Sequence, residues 1–273
     1  MSNEISREEL LKKIALLETE KSELQKENKA LKQQVFIDSL TGFGNEDALF
    51  KQLESFSKSD IEKASTIVFS FDVSGVKAVN TISPLKHNAG AELIRCAAMA
   101  IKKSIGDNDV YRCGGDEFII ILRDCDMEKA GQILKNISTT LKKDWEIAGQ
   151  MNGEENYHGV SAESIGIQGG VAIYNDPKVH RAEQKLYKQW LNEKGTPPNE
   201  KEAVQIMFKA MRSVADERME EEKAKNPERR KFLEETALSL EKQGLHKEAA
   251  EHRERYNLTR VNLRQKDQDR NLK

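Results

Sequence analysis

Aromatic residues make up only 6% of the 273-residue chain, while 33% of it is charged. A chain so poor in rings and so rich in charge cannot be core throughout. One sizeable core with an appendage or two, much of it solvated helix, is what this composition allows. No apolar run approaches the roughly 20 residues of a membrane-spanning helix, and the N-terminus lacks the basic, apolar and small-residue succession of a secretory signal. Charge of one sign is also scarce: 44 Lys and Arg against 46 Asp and Glu leave a formal −2. No basic face is evident, which argues against nucleic acid as the main partner. Cysteine is limited to Cys96, Cys113 and Cys125. An odd number without metal-ligand spacing gives neither a disulfide framework nor a zinc site, so each reads as a small apolar residue in a reduced compartment. These absences point to a cytoplasmic protein without a membrane span.

What is present centres on Tyr111-Arg112-Cys113-Gly114-Gly115-Asp116-Glu117-Phe118, followed by Ile119-Ile120-Ile121-Leu122. A short β-branched run after two glycines and two acids reads as a hairpin. Gly114 and Gly115 are expected to supply positive φ for a tight turn, and Phe118 to Leu122 a buried strand. Upstream, Ser65 to Val73 is apolar enough for the centre of a sheet and ends in Asp72. A lone Asp at a strand end is usually a turn former. Beside an acidic hairpin it becomes part of an oxygen-ligand site for a hard cation.

The motif at 114–118, with Arg112 before it, resembles the GGDEF family, nucleotidyl cyclases that join two GTP molecules into cyclic di-GMP. The resemblance runs from about 38 to 225 and implies an α/β (α+β) fold, a central sheet flanked by helices. It further implies that Asp72, the Val73 carbonyl and Asp116 hold Mg²⁺ (or Mn²⁺), and that Asp116 or Glu117 is the catalytic base. Lys77 would meet the triphosphate as a point charge. Asn80, with His87 nearby, would present its amide to a base edge. Lys223 falls on a phosphate-binding lysine, although a charged helix end is as readily solvated surface.

Several positions depart from the family pattern. Ser74 stands where a second acid is frequent, and Glu46 replaces the arginine of the entry motif D-x-L-T-G-L-x-N-R that begins at Asp38. That entry segment reads as structural. Thr81 to Lys86 is two residues longer than usual. Ala91 replaces the aspartate that reads guanine, and a methyl cannot accept the guanine N–H donors. Ile105 and Asn108 stand at the inhibitory R-x-x-D positions, so product inhibition there is not expected. Glu220 and Pro227 replace a tyrosine and a cation near the end.

The flanks read differently. Leu10, Leu17, Leu24 and Leu31 recur every seven residues, with Ile14, Lys21, Asn28 and Val35 at the alternating positions. A β-branched residue at a with leucine at d favours a parallel two-stranded coil, and Asn28 would set its register. A lone amphipathic helix packed on its own domain is the competing reading, but the seam is narrow and the opposite face charged. The organisation is thus 1–37 coiled-coil dimerisation helix, 38–227 GGDEF-like domain with insertions near 149–164 and 176–201, and 228–273 charged helical extension. Helices are expected over Glu46 to Phe56, Gly90 to Ile105, Met127 to Trp145, Val179 to Asn192 and Glu202 to Lys225. Residues 149 to 164 read as a polar surface loop. The last strand reads either from Gly169 to Tyr174 or in a register carried by Ser164-Ile165-Gly166.

The activity implied is a homodimeric cyclase condensing two GTP, or another purine nucleoside triphosphate, with release of pyrophosphate. The alternative is a catalytically degenerate module that binds a nucleotide or a partner. Ala91, Ser74, the lengthened loop and Pro227 favour the second, and the retained Asp72, Asp116 and Glu117 favour the first.

Overall fold

The computed structural model describes residues 7–63, 65–106, 109–225 and single positions between 237 and 250. Two compact units separate at Ile37, Met1–Ile37 and Asp38–Lys273. The first is a single helix, α1 (Arg7–Val35). Within it Ile14, Leu17 and Leu24 are all exposed, at 48%, 53% and 63%. In the single chain the apolar side chains of the heptad stripe therefore face water. The side chains of Leu10, Asn28 and Leu31 lie outside the described residues.

The second unit opens with β1 (Gly44–Asn45), α2 (Glu46–Leu53), α3 (Lys58–Lys63), β2 (Ile67–Ser74), α4 (Val76–Ile82) and α5 (His87–Ile105). It continues with β3 (Val110–Arg112), β4 (Glu117–Leu122), α6 (Met127–Asn152), β5 (Gly166–Ile173), α7 (Pro177–Lys194) and α8 (Glu200–Lys225). The sheet order is β1-β3-β4-β2-β5. β1 and β3 run parallel and the other pairs antiparallel.

Strand periodicity sorts the core into two layers. Phe69, Phe71, Val73, Phe118 and Ile120 pack with Leu93, Ala97 and Ile101 of α5 and Ile137 and Leu141 of α6. Val68, Ile119 and Ile121 face the other way, against Leu49 and Leu53 of α2 and Met207, Met211 and Val214 of α8. Rings are few, and they are spent at the centre: Phe71 stacks on Phe118 with centroids 5.5 Å apart. Among the described residues no helix is long and apolar enough to cross a membrane.

Four expectations change. Helix α6 runs on to Asn152, seven residues past Trp145. The following segment is not a polar surface loop but is pinned to the core. Trp145 donates its indole N–H to the Val160 carbonyl at 3.0 Å, and Tyr157 and His158 both reach Glu92 of α5, at 2.8 and 2.7 Å. The two readings of the last strand merge, because β5 contains both Gly166 and Gly169-Gly170. Helix α7 is longer than expected at both ends. Asp176 caps its first turn, Pro177 occupies the position where a missing N–H costs nothing, and Gly195 ends it at φ 70°.

Gly170 allows the close approach of helix to sheet. A Cβ there would stand 1.8 Å from the Ala215 carbonyl oxygen and 2.6 Å from the Met219 nitrogen, both backbone atoms of α8. Gly170→Ala is therefore expected to destabilise the domain by about 3 kcal/mol, the upper range for overpacking. Denaturant unfolding should show a lower midpoint with an unchanged slope.

Of the expected 228–273 extension, Ala237, Leu240 and Ala249 form a small buried cluster. Most of the remainder lies outside the described residues, as does Asn108.

Candidate functional site

Register brings the acids together. β2 pairs with β4 so that Asp72 faces Glu117 and Phe71 faces Phe118. Beyond the last pair the Val73 amide donates to the Asp116 carbonyl at 2.9 Å. Asp72, Val73, Asp116 and Glu117 thus share one edge of the sheet, at the end of β2 and the start of β4. Asp72 and Glu117 alternate with Ser70 and Ile119, so both side chains lie on the face that α8 covers.

The hairpin turn differs from the expected one. Neither Gly114 nor Gly115 is among the glycines with positive φ. Cys113 donates its amide to the Glu117 carbonyl at 3.0 Å, leaving three residues between them. The loop is thus longer than the two-residue turn that would have demanded positive φ at its central glycines. Glycine at 114 has another reason, since a Cβ would come 3.0 Å from Glu117 Oε2.

Arg112 fixes the turn from below. Its Nη2 and Nε donate to the Gly115 carbonyl at 2.8 and 3.3 Å, and its Nη1 to the two Asp38 oxygens at 2.9 and 3.1 Å. Asp38 also accepts from the Thr41 amide and hydroxyl at 2.9 and 2.7 Å. Burial opposes the charge on Asp38, but the hydrogen bonds from Thr41 and Arg112 outweigh it and hold its carboxyl below the usual aspartate range. The entry motif is therefore structural in a specific way: it anchors the arginine that carries the acidic turn. The entry segment was legible as structural, but nothing local in the sequence linked Asp38 to Arg112.

A second arginine approaches the same turn from above. Arg212 of α8 stands 3.9 Å from Glu117, 3.5 Å from Glu46 and 4.0 Å from Asp216. Sequence reasoning missed it, because α8 carries many charges and none stands out.

The other half of the expected site lies on α4 and α5. Lys77 and His87 are exposed, while Ala91 is half-buried. Asn80 is held against Gly90, whose absent Cβ would fall 2.1 Å from Asn80 Oδ1. That oxygen is buried and has no hydrogen-bond partner among the described residues. A buried amide without a partner is costly. The lengthened loop between α4 and α5 is fastened by Ser83, whose hydroxyl lies 3.4 Å from His158 Nδ1. Lys223 lies in α8, but its side chain is outside the described residues.

The donor atoms at the acidic edge suit magnesium. They are oxygens alone: two carboxylates and a carbonyl. Among the described residues no group of three or more His, Cys, Asp or Glu forms a cage. Mg²⁺ characteristically takes one or two carboxylates and completes its shell with water and substrate phosphates.

The model of the diguanylate cyclase GGDEF domain matches residues 35–194, more than half of the chain, and the protein belongs to the GGDEF family. It is similar to the probable diguanylate cyclase DgcJ of Escherichia coli K12, 35% identical over 107 residues, which are 38% of this chain and 21% of that protein. It is also similar to the uncharacterized membrane protein SERP0413 of Staphylococcus epidermidis, 28% identical over 39% of this chain and 30% of that protein. The chain thus spans less than a third of either relative's length. Among solved structures, the coiled coil and GGDEF domain of DgcB from Caulobacter crescentus, in complex with c-di-GMP, is 18% identical. It has a TM-score of 0.47, covering 69% of this chain and 96% of that one.

Proposed function

We propose that the protein is a nucleotidyl cyclase of the diguanylate cyclase type, joining two GTP into a cyclic dinucleotide such as cyclic di-GMP with loss of two pyrophosphates. The observation that carries this reading is the pairing of Asp72 with Glu117, with Val73 bonded to Asp116, at one sheet edge. Asp72, the Val73 carbonyl and Asp116 would hold Mg²⁺. When bound, the ion would neutralise the triphosphate and acidify the attacking 3′-hydroxyl. Asp116 or Glu117 takes the proton from that hydroxyl. Lys77 and Lys223 offset phosphate charge, and Asn80 turns its amide to the base. Each subunit presents one nucleotide, so two must face each other. The exposed leucine seam of α1 supports pairing with a second copy, which raises the effective concentration of one site for the other.

A nucleotide-binding module without turnover is the second reading, and Ala91 is the observation that favours it. Ala91 also makes base choice testable. With the aspartate missing, Asn80 and His87 alone should discriminate weakly between GTP and ATP. Ala91→Asp is expected to raise the preference for GTP by about 1–3 kcal/mol, the worth of a satisfied buried pair. Competitive binding of the two nucleotides to both forms measures it. A native preference for GTP of several orders of magnitude would contradict this assignment of the α4–α5 loop. Product mass after incubation with Mg²⁺ and GTP separates cyclase from binding module.

A further inference from the structure

The entry motif of the family carries an arginine where this chain has Glu46. That substitution places a third carboxylate near the acidic turn, since Glu46 opens α2 directly after β1, whose partner β3 leads into the hairpin. Glu46 and Glu117 share one cation of α8, Arg212. Its guanidinium stands within 3.5 Å of one and 3.9 Å of the other, with Asp216 at 4.0 Å.

We propose that Arg212 is the positioning residue of the acidic hairpin: a cation relocated from α2 to α8 that holds Glu117 on the α8 side and screens it from Glu46. The inference rests on the cyclase reading for its ligand, a magnesium nucleoside triphosphate, but its geometry does not depend on that reading. The separations are those of charge pairing rather than of short hydrogen bonds, so Arg212 acts through its charge and should be replaceable by a cation from another direction. Cys113, on the same turn, reports the same field. Burial pushes its thiol up to about 12, Arg212 works against that rise, and Glu46 and Glu117 reinforce it.

A charge exchange tests this. Arg212→Glu is expected to weaken binding of Mg²⁺–GTP by roughly tenfold or more, since it sets like charges side by side. Glu46→Arg alone should bind nearly as the native protein does. The double variant Glu46→Arg/Arg212→Glu should return to within a few-fold of native affinity. Native affinity in Arg212→Glu, or a double variant no better than that single one, would overturn the proposal. Should Arg212→Glu fail to fold by thermal melting, Arg212→Gln and Glu46→Arg/Arg212→Gln decide on the same criteria.

A second readout needs no nucleotide. In a Cys96→Ser/Cys125→Ser background, Arg212→Gln should slow alkylation of Cys113 by iodoacetamide, and adding Glu46→Arg should restore the rate. An unchanged rate would overturn the role of Arg212. A native protein that binds no Mg²⁺–GTP would overturn the proposed function while leaving the thiol result to judge this inference.

Discussion

Replacing Asp116 by asparagine is expected to lower product formation by on the order of a hundredfold or more, as loss of several kcal/mol of charge stabilisation requires. The substitution leaves the shape of the turn intact. The Asp116 backbone carbonyl accepts from the Val73 amide, and an asparagine keeps that carbonyl. Arg112 holds the neighbouring Gly115 carbonyl independently. Thermal melting is expected to show the variant folded, so that the loss is one of rate. Asp72→Asn should behave alike, and the double variant should be little worse than either, because two proposed ligands of one ion would fail together. The measurement is initial rate of pyrophosphate release with thermal melting beside it. A variant with native rate would remove Asp116 from the reaction.

Replacing both Leu17 and Leu24 by asparagine is expected to give a monomer whose turnover falls by on the order of a hundredfold at low protein concentration. Both side chains are more than half exposed in the single chain, so the change costs the isolated subunit little. In a two-stranded coil the same residues would form the d layers, where a polar pair replaces buried leucine contacts. In the proposed dimer the coil would make encounter of two nucleotide-bearing sites intramolecular, and losing it would forfeit that effective concentration. Turnover should then climb with protein concentration more steeply in the variant than in the native protein. Light scattering and the concentration dependence of rate check this together. An unchanged mass in solution would assign the seam to some other contact.

Local signals explain what the sequence made legible. The apolar run through Phe69 and Phe71 is buried from both sides, and nothing but a central strand suits it. The Leu93, Ile94, Ala97 and Ile101 spacing suits a helix with one buried face, and α5 is that helix. The acidic edge was legible for a related reason, since Asp72 ends one apolar run and Glu117 begins another. Long-range partners hid the rest. Residues 153 to 164 look polar because Glu154, Glu155, Asn156 and His158 lie among them, yet Tyr157 and His158 find Glu92 some 65 positions earlier. Gly169-Gly170 carries no periodicity at all; Gly170 answers to the α8 backbone that presses on it, and Gly169 to Phe71 and Ser70 of β2. Asp38 and Arg112 lie 74 residues apart. Arg212 and Glu117 come from elements that only the folded sheet and helix bring near. Pairings of this kind depend on register and packing, and a single sequence records neither.

The paired acids of β2 and the hairpin are proposed to perform a condensation rather than merely hold a nucleotide. Incubating the full chain with Mg²⁺ and each nucleoside triphosphate in turn, followed by mass analysis of the products, tests it most directly. The prediction is a cyclic dinucleotide formed from GTP, with two pyrophosphates released per product molecule and no product once Mg²⁺ is chelated. GTP bound by the protein but recovered unchanged, under conditions where an active cyclase converts it, would contradict this reading.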